Sequence, residues 1–155
     1  MAVKTVRFFV FSSGALFMAT AIAKLISTFG SARILENPDP ILYVSFRKIF
    51  WIVGGLELLV ALICLFGRRI QLQSGLVACL STNFALYRLG LWLIGWHRPC
   101  SCLGNLTDAL YIPPQTADTA MKIMLAYLLI GSYATLFWLW RQRKRRSSTV
   151  GAASL

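Results

Sequence analysis

The sequence is poor in acidic residues, with five aspartates and glutamates against sixteen lysines and arginines, so its formal net charge is +11. A charge of this size often indicates nucleic-acid binding, but the chain also lacks a folded module that could present the charge to a nucleic acid. The densest basic run, RQRKRR at residues 141–146, directly follows an apolar segment that ends in tryptophans. We therefore expect these charges to meet anionic lipid, and no nucleic acid as a partner.

The sequence also has no polar stretch long enough for a soluble domain, because 57% of its residues are hydrophobic and its mean hydropathy is +0.67. The four apolar runs lie at about residues 8–29, 49–66, 72–96 and 120–140. Each run is close to the roughly 20 residues with which a helix crosses a bilayer, and none alternates as a strand does. The sequence predicts an all-α integral membrane four-helix bundle over residues 1–146, with a disordered cytoplasmic tail at 147–155.

Basic residues are unevenly divided between the two sides of this predicted bundle. The side that carries the termini holds Lys4, Arg7, Arg68, Arg69, Arg141, Arg143, Lys144, Arg145 and Arg146, and the other side holds Arg33, Arg47, Lys48, Arg98 and Lys122. Because basic flanks stay in the cytoplasm, we expect both termini inside and the loops at about 30–48 and 97–119 outside. The first run also resembles a cleaved signal peptide. However, apolar residues continue after Lys24 and bring the run nearly to spanning length, so we expect this helix to be retained in the mature protein.

Two cysteines, Cys100 and Cys102, lie in the second outer loop in the stretch HRPCSC. Outside the cytoplasm a disulfide between them can persist. A bond between residues i and i+2 is feasible but strained, and it closes too short a loop to stabilise the fold much. Strained, exposed disulfides are typically labile or catalytic, and His97 or Arg98 nearby would raise the thiolate fraction. The pair therefore favours thiol redox chemistry.

Two other interpretations of the pair stay open. The cysteines could form a turn-stabilising disulfide with no redox role. Alternatively, His97, Cys100 and Cys102 could bind copper or zinc as soft ligands, although no fourth ligand is evident in the sequence. The remaining cysteines, Cys64 and Cys79, lie inside the second and third apolar runs, where we expect them to be packing residues.

Three charged residues, Lys24, Glu57 and Arg88, lie within the predicted spans. Each would cost about 3 kcal/mol at the bilayer centre if it were unpaired. Counted at about 1.5 Å per residue from span ends at residues 49 and 96, Glu57 and Arg88 reach the same depth. We predict one buried cluster of the three. It could be a structural ion cluster, a polar pocket for a quinone-like headgroup, a proton path or the binding site of a transporter.

Three short motifs lie in the apolar body and the second outer loop: AKL at residues 23–25, GGLELLVAL at 54–62 and CSCLG at 100–104. In these motifs the chain resembles the MauE/DoxX group of small four-helix membrane proteins, and the MauE branch in particular. The family's usual cysteine motif is CxCFG, and Leu103 replaces the aromatic residue here without changing the cysteine spacing. The resemblance implies a role in thiol redox or in the maturation of an exported protein, beside a thioredoxin-like partner. It also implies that Cys100 and Cys102 are the redox pair.

From these residues we expect a multi-pass protein of the bacterial inner membrane, with both termini cytoplasmic and the cysteine loop periplasmic. It would act as a thiol-disulfide oxidoreductase toward a periplasmic thioredoxin-like or client protein, within a homo- or hetero-oligomer. Its electron acceptor would be a quinone held by Lys24, Glu57 and Arg88. The rival expectation is a non-catalytic accessory or scaffold subunit, in which the loop disulfide only shapes a docking surface. For the last helix, we expect Thr116 or Asp118 as the N-cap.

Overall fold

The computed structural model describes residues 2–29, 39, 41–95 and 113–152. This part of the chain has four helices and no strand; the helices are α1 (Ala2–Thr28), α2 (Phe46–Phe66), α3 (Ile70–Leu93) and α4 (Pro114–Ala152). All four helices are long and apolar enough to cross a membrane. The predicted all-α membrane bundle is confirmed.

The helix ends differ from the predicted spans in ways that matter for the site. α3 ends at Leu93, whereas the predicted span reaches residue 96. α4 begins at Pro114, because a proline in the first helical turn needs no hydrogen-bond partner for its nitrogen. The carbonyl of Pro113 accepts the N–H groups of Thr116 and Ala117, so neither Thr116 nor Asp118 is the N-cap that the sequence predicts.

The C-terminal end of α4 lies well beyond the predicted end of the last span. The helix continues to Ala152, so residues 147–152 are helical where the sequence predicts a disordered tail. Lysine, arginine and glutamine are good helix formers, and the run at residues 141–146 therefore carries the helix onward past the apolar segment. Residues 153–155 of the predicted tail lie outside the described residues.

The helices pack mainly as two consecutive pairs, α1 against α2 and α3 against α4. Gly14 of α1 lies so close to α2 that a Cβ there would be 2.9 Å from the Cβ of Cys64. Near the other end of the pair, a Cβ on Gly54 of α2 would lie 3.2 Å from the Cγ of Leu25. The first half of α1 thus meets the second half of α2, so the two helices run antiparallel. Glycine at these positions allows the backbones to approach closely.

The bundle has a mixed interior and an apolar outer surface. Buried apolar side chains from all four helices form its core, among them Phe17, Val60, Val77, Leu80 and Leu128. Large apolar side chains are exposed on the outside, as lipid requires, for example Phe8, Ile52, Leu89 and Ile130. Many hydroxyl-bearing residues, in contrast, are buried, because acyl chains offer no hydrogen bonds and polar groups must find partners inside. The polar chemistry of the protein is therefore concentrated between the helices.

The antiparallel arrangement gives the bundle two chemically different ends. The loop end is formed by Thr28, Phe46, Leu93 and Pro114, where the two long connections leave the helices. The basic end lies opposite, at the short α2–α3 connection around Arg68. At the basic end, the Nε2 group of Gln73 donates to the carbonyls of Ile63, Cys64 and Gly67, and these hydrogen bonds cap the last turn of α2.

Adjacent glycines on α2 provide a matched test of this packing. Gly54 is buried against α1, whereas a Cβ on Gly55 would meet no atom within 4 Å. Gly54→Leu should destabilise the protein by about 1–3 kcal/mol through overpacking. Gly55→Leu should be neutral or slightly stabilising, because leucine is a better helix former. Unfolding of purified protein by SDS in mixed micelles measures both changes, and an equal effect of the two substitutions would contradict the α1–α2 interface.

Candidate functional site

A buried ion pair joins α1 to α2 in the membrane-spanning part of the bundle. The Nζ of Lys24 lies 2.5 Å from Oε1 of Glu57, and the two side chains are only 7% and 1% exposed. The Lys24 Nζ also lies 5.3 Å from the centre of the Phe84 ring on α3, within reach of a cation–π contact. The predicted pairing of Lys24 with Glu57 is thus present. Each charge depends on the other, because neither is solvated by water.

The second oxygen of the Glu57 carboxylate, Oε2, has no hydrogen-bond partner among the described residues. The buried hydroxyls of Ser74 and Ser81 on α3 also have no hydrogen-bond partner among the described residues. Buried hydroxyls on α1 differ, since Ser13 and Ser27 donate to carbonyls of their own helix. An unsatisfied buried polar group costs about 1–3 kcal/mol, so the three oxygens mark places for a water molecule or a polar ligand group.

Arg88 does not join this pair. Its guanidinium donates to Oδ1 of Asp118 on α4, whose Oδ2 lies 2.8 Å from the Nζ of Lys122. This result corrects the predicted three-residue cluster: the structure brings Lys24 and Glu57 together and places Arg88 in a separate group.

The reason for the separation lies in the helix ends. Arg88 is five residues before the end of α3 at Leu93, or about 7.5 Å at 1.5 Å per residue. Glu57 is eleven residues after the start of α2 at Phe46, or about 16 Å by the same rise. Arg88 therefore lies closer to the loop end than Glu57 does. The equal depths expected from the sequence rested on spans that ended at residues 49 and 96.

Asp39 is a buried acidic residue for which no role was predicted from the sequence. One oxygen of its carboxylate accepts the backbone N–H groups of Ile41 and Leu42, and the other accepts the hydroxyl of Tyr87. These bonds fasten the segment before α2 to α3, next to Arg88. The stretch NPDP indicates a turn at Asp39, since aspartate commonly bonds backbone two residues on. Nothing in the local sequence indicates Tyr87 as the partner.

The residues of the predicted redox or metal site, His97, Cys100 and Cys102, lie outside the described residues. The segment that contains them starts after Gly95 and ends before Pro113, and both of these residues are at the loop end. The Arg88–Asp118 contact joins α3 to α4 near the two ends of that segment. Within the described residues there is no group of three or more His, Cys, Asp or Glu that could hold a metal.

The two other cysteines are free thiols with different surroundings. Cys64 is buried and packs close to Gly14, as expected of a packing residue. Cys79 is exposed on the outer surface of α3, so the expectation that it also packs inside the bundle is wrong. Its Sγ lies 3.7 Å from the Nδ2 of Asn83 on the same helix.

The Lys24–Glu57 pair predicts strong coupling between the two residues. Lys24→Met alone should cost about 3–5 kcal/mol, because it leaves a buried carboxylate without a counter-charge. Lys24→Met combined with Glu57→Leu should recover most of that loss. Lys122→Met is the matched control: the Lys122 side chain is 62% exposed, and such exposed pairs contribute about 0–1 kcal/mol. A double-mutant cycle of unfolding free energies in mixed micelles measures the coupling, and additive effects would refute it.

Comparison with known proteins agrees with the motifs and the four helices. The chain matches the family described as methylamine utilisation protein MauE over residues 3–141. That range includes all of α1 but its first residue, all of α2 and α3, most of the candidate span of α4 and the segment with both loop cysteines. No curated protein and no solved structure gives a significant match to the chain. Because the family match covers most of the sequence, the chain belongs to the MauE family.

Proposed function

We propose that this membrane protein exchanges disulfides with an extracytoplasmic partner through Cys100 and Cys102. The observation that carries the proposal is the place of the two described residues that flank the cysteine segment, Gly95 and Pro113. Both lie at the loop end of a bundle whose interior holds the Lys24–Glu57 pair with an unpartnered carboxylate oxygen. Membership of the MauE family and the CxC spacing support the same function.

The exchange follows ordinary thiol–disulfide chemistry. A thiolate of the partner attacks one sulfur of the Cys100–Cys102 disulfide, the S–S bond breaks, and a mixed disulfide forms with release of the other cysteine as a thiolate. The second thiol of the partner then attacks the mixed disulfide. The partner leaves with a disulfide, and Cys100 and Cys102 are left as two thiols that carry the two electrons and, at equilibrium, two protons.

Renewal of the disulfide needs an electron acceptor, which we propose to be a quinone. The residues inside the bundle suit its headgroup chemically: the Lys24 ammonium would donate to a quinone carbonyl, the free Oε2 of Glu57 would accept from a quinol hydroxyl, and Phe84 presents an aromatic ring. A bound quinone would accept the two electrons and two protons of the dithiol. Glu57 would hold or transfer a proton, while Lys24 keeps its carboxylate oriented. Arg88 would act from the loop end, through its contact with Asp118, by holding the ends of the cysteine segment.

The distribution of charge supports an orientation for this reaction. The basic end carries most of the lysines and arginines that flank the helices, and such flanks stay in the cytoplasm. The loop end then faces the periplasm of a bacterial inner membrane, where thioredoxin-like and client proteins with exposed cysteines can reach the segment.

The redox state of the cysteine pair is the first test. We expect the pair to cycle between dithiol and disulfide across a series of dithiothreitol redox buffers, and a membrane-impermeant maleimide to reach the reduced form from outside. The measurement is made in intact cells on a Cys64→Ser/Cys79→Ser background, which removes the two thiols of the helices. The Cys100→Ser/Cys102→Ser variant on the same background is the labelling control.

Two results would contradict the redox function. One is a pair that stays oxidised under strong reductant, which would favour the rival accessory or scaffold subunit. The other is full function in vivo of the Cys100→Ser/Cys102→Ser variant. The scaffold also predicts that single cysteine variants lower the abundance of the protein and leave the activity of each molecule unchanged.

Substitution of Glu57 tests the proposed path of the protons. Glu57→Gln keeps the shape and a hydrogen-bonding oxygen but cannot carry a proton, so reoxidation of the reduced pair by a short-chain quinone should slow by about a hundredfold. Reduction of the disulfide by a dithiol should be unaffected. Both rates are followed by thiol trapping in membranes, with Lys122→Gln as the control. Unchanged reoxidation in Glu57→Gln would exclude a role for this carboxylate in the electron-acceptor site.

A further inference from the structure

An open groove of about 500 Å³ lies at the basic end, on the opposite side of the bundle from the cysteine segment. Its walls combine basic and apolar side chains from three helices and the α2–α3 connection. They include Arg7, Val10 and Phe11 of α1, Leu65 of α2, Arg68 of the α2–α3 connection and Ile70 of α3. This groove takes no part in the proposed redox function.

The local structure gives the groove a defined shape. Arg7, Val10 and Phe11 are spaced three and four residues apart, so they lie on one face of α1. Gln73 fixes the opposite wall, because its Nε2 group donates to the carbonyls of Ile63, Cys64 and Gly67 and so secures the turn that carries Arg68. The hydrogen bonds therefore hold the backbone beside Arg68 in place.

The basic end has no acidic side chain of its own. The acidic residues of the chain are Glu36, Asp39, Glu57, Asp108 and Asp118. None lies before residue 36, between residues 58 and 107, or after residue 118, and these are the ranges that contain the groove and the basic end. Because these ranges contain no acidic side chain, the exposed guanidinium groups of Arg7 and Arg68 are available to an anion from outside.

We propose that the groove binds one anionic phospholipid, with its phosphate on Arg7 and Arg68. Guanidinium groups bind phosphate through paired, charge-assisted hydrogen bonds. The apolar wall at Phe11, Leu65 and Ile70 suits the first part of an acyl chain. Phe11 is 60% exposed on the lipid-facing surface, so the rest of the chain continues into the bilayer. A soluble anion would match the arginines but leave the apolar wall unused.

Lipid selectivity tests the proposal on the full-length protein. The protein in neutral detergent is titrated with short-chain phosphatidylglycerol or phosphatidylcholine, and bound lipid is counted by native mass spectrometry. Arg7→Gln/Arg68→Gln should weaken binding of phosphatidylglycerol roughly thirtyfold, because each basic residue contributes about fivefold. Arg141→Gln/Lys144→Gln removes the same charge at the same end outside the groove, and it should change binding little.

The outcomes separate a lipid site from its alternatives. Equal losses in the two double variants would show diffuse attraction to the basic end and overturn the proposal. Complete displacement of phosphatidylglycerol by inorganic phosphate would do so too, because it would show that the apolar wall contributes nothing. A photoactivatable phosphatidylglycerol tests the wild-type protein without substitution. Labelling of residues 7–11 and 65–70 is the expected result, and labelling elsewhere would refute the site.

Discussion

The structure depends on one buried ion pair, between Lys24 of α1 and Glu57 of α2. A bilayer supplies no water to either charge, so each side chain is tolerable only beside the other. Their pairing fixes the register of the two helices that pack most closely, and Gly54, one turn from Glu57, lets the backbones approach near Lys24. The carboxylate still has one free oxygen. The Lys24–Glu57 contact therefore orders the α1–α2 pair and still leaves one carboxylate oxygen inside the bundle free to accept a hydrogen bond or a proton.

A second set of polar contacts orders the loop end. Asp39 and Tyr87 attach the first long connection to α3, and Arg88 with Asp118 attaches α4 to α3. Both contacts start from neighbouring residues on one turn of α3, so this turn joins the first long connection and α4 to α3. The two helix ends that flank the cysteine segment are therefore linked by an ion pair. Function at this end and lipid binding at the other would use opposite ends of the same helices.

Much of the fold could be predicted from the sequence, because apolar runs of spanning length admit few alternatives. The Lys24–Glu57 pair could also be predicted, because an unpaired charge within a membrane span is costly and an opposite charge in the neighbouring span removes that cost. The position of Arg88 could not, because its depth depends on where α3 ends, and hydropathy fixes helix ends only to within several residues. Asp39 and Tyr87 meet across 48 residues. No local pattern encodes such a contact, and a single sequence gives no other evidence of it.

The pairing of consecutive helices has a consequence for how the interior can be reached. Contacts within each pair, α1 with α2 and α3 with α4, greatly exceed those between the pairs. The backbones therefore approach closely within two helical hairpins and less closely between them, where side chains of all four helices form the core. The Lys24–Glu57 contact belongs to the first hairpin, and the orphaned hydroxyls of Ser74 and Ser81 belong to the second. Separation of the hairpins would open a lateral entrance from the lipid to Glu57 while each hairpin stays intact.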